Sequence, residues 1–162
     1  MNKVYLLIGG NMGDRMANLA EAIHLINQEI GPIQLTSSIY ETAAWGNTNQ
    51  PDFLNQALML ETLLDAETVM RQLLNIEIGM GRKRDIPMGP RTIDLDIIYF
   101  DDLVIANELI TIPHPKIAKR RFVLMPLAEI APQFLHSVLN KTNEALLKDC
   151  GDSLAVYKKT NI

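Results

Sequence analysis

The stretch Gly89-Pro90-Arg91-Thr92-Ile93-Asp94-Leu95-Asp96-Ile97 decides how this chain is read. A turn signal leads into a cation, then into two carboxylates one residue apart in a β-branched, apolar run. Ile93, Leu95, Ile97 and Tyr99 alternate with Asp94, Asp96, Ile98 and Phe100. A period of two predicts a strand, with successive side chains on opposite faces. Asp94 and Asp96 then share a face, their Cα atoms roughly 6.5–7 Å apart. Two like charges at that spacing repel unless a cation sits between them, and hard carboxylate oxygens suit Mg²⁺. Alone, Asp-x-Asp also fits a half-exposed strand with a wet side. Asp is a poor strand former, however, and two of them in an otherwise good strand make a local conflict of the kind found at functional sites.

Working outward, Val4 to Gly9 is a short apolar run ending in Gly9-Gly10 and predicts a buried strand. Asp14 is placed to cap a helix whose apolar positions (Met16, Leu19, Ala20, Ile23, Ile26, Ile30) run to Gly31-Pro32. Ile33 to Tyr40 predicts a second strand, and Phe53 to Glu61 a third. Asp65 caps a second helix that ends at Gly79. The order strand, helix, strand, strand, helix, strand predicts an α+β fold: a ferredoxin-like βαββαβ antiparallel sheet with helices on one face. Residues 41–52 and 79–91 read as two long loops, and loops of that length in a compact domain tend to be functional or disordered. A C-terminal extension comes next. It has short extended pieces at 103–105 and 109–112, helical turns at 117–121 and 126–130, and a short helix capped by Thr142. The last ten residues carry no readable pattern.

With 162 residues, 48% of them apolar and 21% charged, the chain is expected to form one soluble domain over residues 1–162. A net charge of −4 argues against a surface that coats nucleic acid or anionic membrane, so any basic cluster is a local device. The single cysteine, Cys150, excludes an internal disulfide framework and is read as buried structure. No apolar run approaches a membrane span, and a cytoplasmic monomer is the expectation.

Three constellations carry chemistry. Arg82, Lys83, Arg84 and Arg91 run straight into the acidic pair. Such a run fits a solvated face or a nucleic-acid patch, but beside metal carboxylates it predicts a grip on polyphosphate, since Arg holds phosphate oxygens in a bidentate fork. His114 is held between Pro113 and Pro115 in a stiff segment succeeded by Lys116, Lys119, Arg120 and Arg121, which tilts it toward phosphate. Thr42, Trp45, Phe53, Asn55 and Phe122 fit ordinary core and turn chemistry singly. As a set they fit a slot for a flat heterocycle, with rings to stack on it and an amide for its edge. His24 and His136 receive no role. Three readings stay open on the residues alone: a metal-dependent phosphoryl- or pyrophosphoryl-transferring enzyme, another nucleotidyl or phosphodiester enzyme, and a non-catalytic RNA-binding module. Net acidity counts against the last.

The same stretches resemble a known family. Residues 89–97 look like the signature of the 6-hydroxymethyl-7,8-dihydropterin pyrophosphokinases of folate biosynthesis. Ile8-Gly9-Gly10-Asn11, Tyr40-Glu41-Thr42, Gln50-Pro51-Asp52-Phe53-Leu54-Asn55, Ile76-Glu77, Gly81-Arg82, Ile112-Pro113-His114-Pro115, and the block from Arg120 to Pro132 are similar to family segments in the same order. The resemblance implies transfer of the pyrophosphoryl group of ATP to the pterin hydroxymethyl oxygen, with release of AMP. It implies two Mg²⁺ on Asp94 and Asp96, with Arg82, Arg91, Asp94 and Asp96 as the catalytic set. ATP would be bound by Arg82, Arg84, Arg91, His114 and Arg120, and the pterin by Thr42, Trp45, Phe53, Asn55 and Phe122. Many members carry a tryptophan where Met88 stands here, and Trp45 replaces a usual aliphatic residue. No nucleic-acid or membrane partner is implied.

Overall fold

The computed structural model describes residues 1–43, 51–81 and 92–159. Its elements are β1 (Asn2–Gly10), α1 (Arg15–Glu29), β2 (Ile33–Thr36), β3 (Tyr40–Thr42), β4 (Phe53–Thr62), α2 (Ala66–Gly79) and β5 (Asp94–Phe100). After these come β6 (Ile105–Ala106), β7 (Thr111–Ile112), a 3₁₀ turn (Ile117–Lys119), α3 (Arg121–Ile130), α4 (Asn143–Asp149) and β8 (Val156–Lys158). The main sheet runs β5-β1-β4-β3-β8, with β2 also on β4, and the pairings are antiparallel. The expected ferredoxin-like frame is present. Asp14 and Asp65 cap α1 and α2, accepting from Ala17 N and Thr68 N, as short acceptors at the N-cap do.

Each face of the sheet has its own core. Val4, Leu6, Ile8, Leu54, Leu58, Leu60, Leu95 and Ile97 pack with Leu19, Ala22 and Ile26 of α1 and Val69, Leu73 and Ile76 of α2. The extension covers the opposite face. There Tyr5, Leu7, Ala57, Met59, Ile98 and Tyr99 meet Val123, Leu124 and Leu127 of α3 and Leu146 of α4. The helices on one face are therefore joined by two on the other.

Four local differences from the sequence reading have physical causes. The predicted second strand is broken at 37–39. The gap is stapled by side chains: Gln56 Nε2 donates to Ser37 O (2.9 Å) and Ala57 N donates to Ser37 Oγ (2.9 Å). The alternation in β5 does not run to its end, because the β1–β5 register slips between Tyr5 and Leu6. Such a bulge re-aims the side chains beyond it, so Tyr99 joins the α3 side with Ile98, and Phe100 returns to the α1/α2 side. The turn expected at 126–130 is the second half of a ten-residue helix with Pro126 inside it. Proline removes one helical donor there, and burial of Val123, Leu124, Pro126 and Leu127 offsets the loss. Finally, the unreadable tail forms β8 on β3.

Candidate active site

One end of the α3-side face carries polar groups where the rest carries apolar ones. On β5, Asp94 pairs with Gly9 and Asp96 with Leu7. On β4, Asn55 pairs with Gly9 on one side and Tyr40 on the other, and Phe53 pairs with Thr42. Gly9, Asn55, Phe53, Thr42, Asp94 and Asp96 form the floor of a cavity of about 170 Å³. His114, Arg120, Phe122, Val123 and Leu154 complete its wall. The acidic pair and the flat-ring candidates thus share one cavity. Of the twelve predicted site residues, the eight that are described (Thr42, Phe53, Asn55, Asp94, Asp96, His114, Arg120 and Phe122) all line it. Trp45, Arg82, Arg84 and Arg91 lie outside the described residues.

Each group is held for a reason. Gly9 leaves the room that the Asn55 amide fills, since a Cβ there would fall on Asn55 Oδ1. Leu95, between the two carboxylates, donates its N–H to Glu77 Oε2 of α2 at 2.7 Å. A helix carboxylate therefore fixes the peptide that spaces the acidic pair, which gives the buried Glu77 a structural task. His114 N donates to Ile98 O (3.0 Å), which lays the segment between the prolines along the outer rim of β5. The His114 pKa is lowered, first by burial and then by Arg120. Its Nδ1 accepts from Lys116 N (3.2 Å), so the neutral ring carries its proton on Nε2 and offers one donor. The Arg120 guanidinium carbon lies 5.7 Å from the centre of the Phe122 ring, within cation–π range. Thr42 is 3% exposed and its hydroxyl makes no hydrogen bond among the described residues. A buried hydroxyl without a partner, lining a cavity, is open to a ligand.

The acidic pair fits Mg²⁺. Among the described residues no group of three His, Cys, Asp or Glu side chains forms a metal cage. Mg²⁺ is commonly held by one or two carboxylates, with water and substrate phosphates completing its shell.

Sequence reasoning missed Leu7, Ala43, Ile98, Val123 and Leu154 as lining residues. It also missed Arg15, whose guanidinium reaches Glu41 Oε2 (2.6 Å) and Asp52 O (2.9 Å) beside the cavity. The five lining residues have no chemical signature of their own, and Arg15 stands in a helix start with no neighbouring motif.

His136, given no role, lies outside the cavity. It is buried against the edge of Tyr99, and its Nδ1 accepts from Val138 N (3.1 Å) and Leu139 N (3.0 Å). Burial lowers its pKa, so the folded chain binds fewer protons there than the unfolded chain. Stability from this group is present above the ordinary histidine pKa and is lost as pH falls through the lowered value. We expect His136→Asn to lower the urea midpoint at pH 7.5, and the gap to the parent to narrow at pH 5. A gap that widens on acidification would contradict this.

An antiparallel sheet that presents paired carboxylates, a neutral imidazole and an arginine next to an apolar slot defines an enzyme of phosphoryl-group transfer, built on a ferredoxin-like α+β frame. Comparison with known proteins agrees. A family model described as "7,8-dihydro-6-hydroxymethylpterin-pyrophosphokinase (HPPK)" matches residues 5–132. The chain is 39% identical over 141 residues to a 2-amino-4-hydroxy-6-hydroxymethyldihydropteridine pyrophosphokinase of Aquifex aeolicus, covering 87% of this chain and 88% of that one. It is 41% identical over 133 residues to a Bacillus subtilis protein of the same name, covering 82% and 80%. A solved Plasmodium falciparum HPPK-DHPS matches with a TM-score of 0.74 at 19% identity, over 91% of this chain and 43% of that one. At that identity the likeness concerns the fold. The chain belongs to the 7,8-dihydro-6-hydroxymethylpterin-pyrophosphokinase family. It is a transferase of folate biosynthesis.

Proposed function

We propose that the cavity transfers the terminal pyrophosphoryl group of ATP to the hydroxymethyl oxygen of 6-hydroxymethyl-7,8-dihydropterin and releases AMP. The observation that carries this reading is the shared cavity: Asp94 and Asp96 beside Thr42, Phe53, Asn55 and Phe122. Phe53 and Phe122 hold the pterin ring by its faces, while the Asn55 amide and the Thr42 hydroxyl meet its polar edge. Asp94 and Asp96 would hold two Mg²⁺. Bound there, the ions would neutralise polyphosphate charge and align the acceptor oxygen with the phosphorus it attacks. His114 donates from Nε2 to a phosphate oxygen, and Arg120 pairs with another. Arg82, Arg84 and Arg91 are assigned to the polyphosphate through their place in the matched family pattern. By the same family pattern Arg91 is assigned to the transferred group, where an arginine would offset charge on the departing α-phosphate.

The product distinguishes this transfer from an ordinary kinase reaction. We expect phosphorus NMR of ATP, Mg²⁺ and hydroxymethyl-dihydropterin with the protein to show AMP and a pterin diphosphate. Excess EDTA should stop their appearance. Accumulation of ADP, or turnover unaffected by EDTA, would overturn the assignment.

A further inference from the structure

The cavity wall includes a residue that lies beyond the part of the chain matched by the family. The match ends at residue 132, yet Leu154 lines the same cavity as Thr42, Phe53 and Phe122. Two anchors bring it there. Upstream, the Asp152 carboxylate accepts from Arg121 N (3.0 Å) and from Leu154 N (3.0 Å). The Arg121 side chain returns a bond from Nε to Asp152 O (3.1 Å). The residue at the N-cap of α3, Arg120, makes no capping bond with its own side chain. Asp152 therefore supplies from the tail the acceptor that this helix start lacks, and a carboxylate there is also favoured by the helix dipole. Downstream, β8 pairs with β3 so that Val156 faces Thr42, and Lys159 N donates to Ile39 O (2.7 Å). Between these anchors the chain has little freedom, and Leu154 falls two residues from the partner of Thr42.

We infer that Leu154 is a specificity-determining residue for the acceptor ring, with Asp152 as its positioning residue. The inference rests on the pyrophosphokinase reading of the cavity. The side chain is half-buried and lines the cavity together with Thr42 and Phe122, two residues along the chain from the strand partner of Thr42. A flat heterocycle seated against Thr42 and Asn55 meets Leu154 at its rim. Leucine there favours a ring over a solvated or charged acceptor, because apolar area is removed from water as the ring enters. Asp152 also ties the start of α3, which carries Arg120 and Phe122, to the same tail. One carboxylate thereby sets the distance between the Phe122 wall and the Leu154 wall.

The test is steady-state kinetics of the full chain with both substrates varied, alongside thermal midpoints. Leu154→Ala is expected to raise KM for hydroxymethyl-dihydropterin about tenfold, with KM for ATP unchanged. Leu154→Met, which conserves volume, should restore most of it. Asp152→Ala should raise the pterin KM in the same direction, and Asp152→Asn, which keeps an acceptor for Arg121 N, should rescue part of it. A pterin KM for Leu154→Ala within twofold of the parent overturns the inference. So does an equal rise in both KM values, or a lower thermal midpoint with both KM values unmoved. If the parent itself forms no AMP from ATP and the pterin, the pyrophosphokinase reading fails instead, so the two failures are distinguishable.

Discussion

Asp96→Ala should lose pyrophosphoryl transfer by at least about a thousandfold while keeping its fold. The side chain is half-buried at the cavity, on the face of β5 opposite Leu95 and Ile97, which are the residues that lock the strand into the α1/α2 core. Removing the carboxylate takes an oxygen ligand from the proposed cation site and leaves that packing untouched. Asp94 remains, but one carboxylate does not hold two divalent ions against a polyphosphate. The expected result is no AMP by phosphorus NMR, with a far-ultraviolet circular dichroism spectrum and thermal midpoint close to the parent. Unfolding of the variant would show that Asp96 supports the structure. Turnover within tenfold of the parent would show that the acidic pair is not the metal site.

The second large effect is expected from a residue without a side chain. Gly9→Ala would set a Cβ 2.6 Å from the Leu54 carbonyl oxygen, near the end of the β1–β4 pairing, and onto the Asn55 amide oxygen. Real Cβ atoms do not approach a backbone oxygen so closely, so the two central strands must part or the amide must leave. Overpacking of this kind costs about 1–3 kcal/mol. The displaced Asn55 also removes the donor and acceptor proposed for the pterin edge. We expect a lower denaturation midpoint together with at least about a tenfold loss of dihydropterin affinity. Equilibrium unfolding and ligand titration measure the two separately. Parent-like values in both would mean that the strands absorb the methyl group without moving Asn55.

These two residues also illustrate how much of the site is legible in the amino-acid order alone. The acidic pair is readable because a strand has a period of two, and two aspartates at that period conflict with everything around them. The frame is readable because Asp14 and Asp65 stand where helices begin, and apolar spacing changes from helical to alternating between them. The grouping of Thr42, Phe53, Asn55 and Phe122 comes from chemistry and from the family resemblance; the sheet brings the first three together by pairing β3 with β4 beside β1, and α3 adds Phe122. The features that stay hidden depend on distant partners. The slip that carries Tyr99 across the sheet arises from the β1–β5 register, which no local pattern records. The break at 37–39 depends on Gln56, far along the chain. Pro126 reads as the start of a separate helical turn, and only burial of the surrounding face shows that one helix runs through it. Leu154 sits in a tail whose shape is set by a cap on another element's helix and by a sheet edge.

The outer margin of β5 has a consequence for how copies of this chain meet. An edge strand offers its unpaired amides and carbonyls to any neighbouring strand, and aggregation often begins there. On this edge the Leu95 amide is already taken by a helix carboxylate, and the Ile98 carbonyl by the His114 amide. A strand from another molecule would have to displace both to extend the sheet past the acidic pair. The contacts that hold the reactive groups in place thus also keep a crowded solution from zipping closed over them.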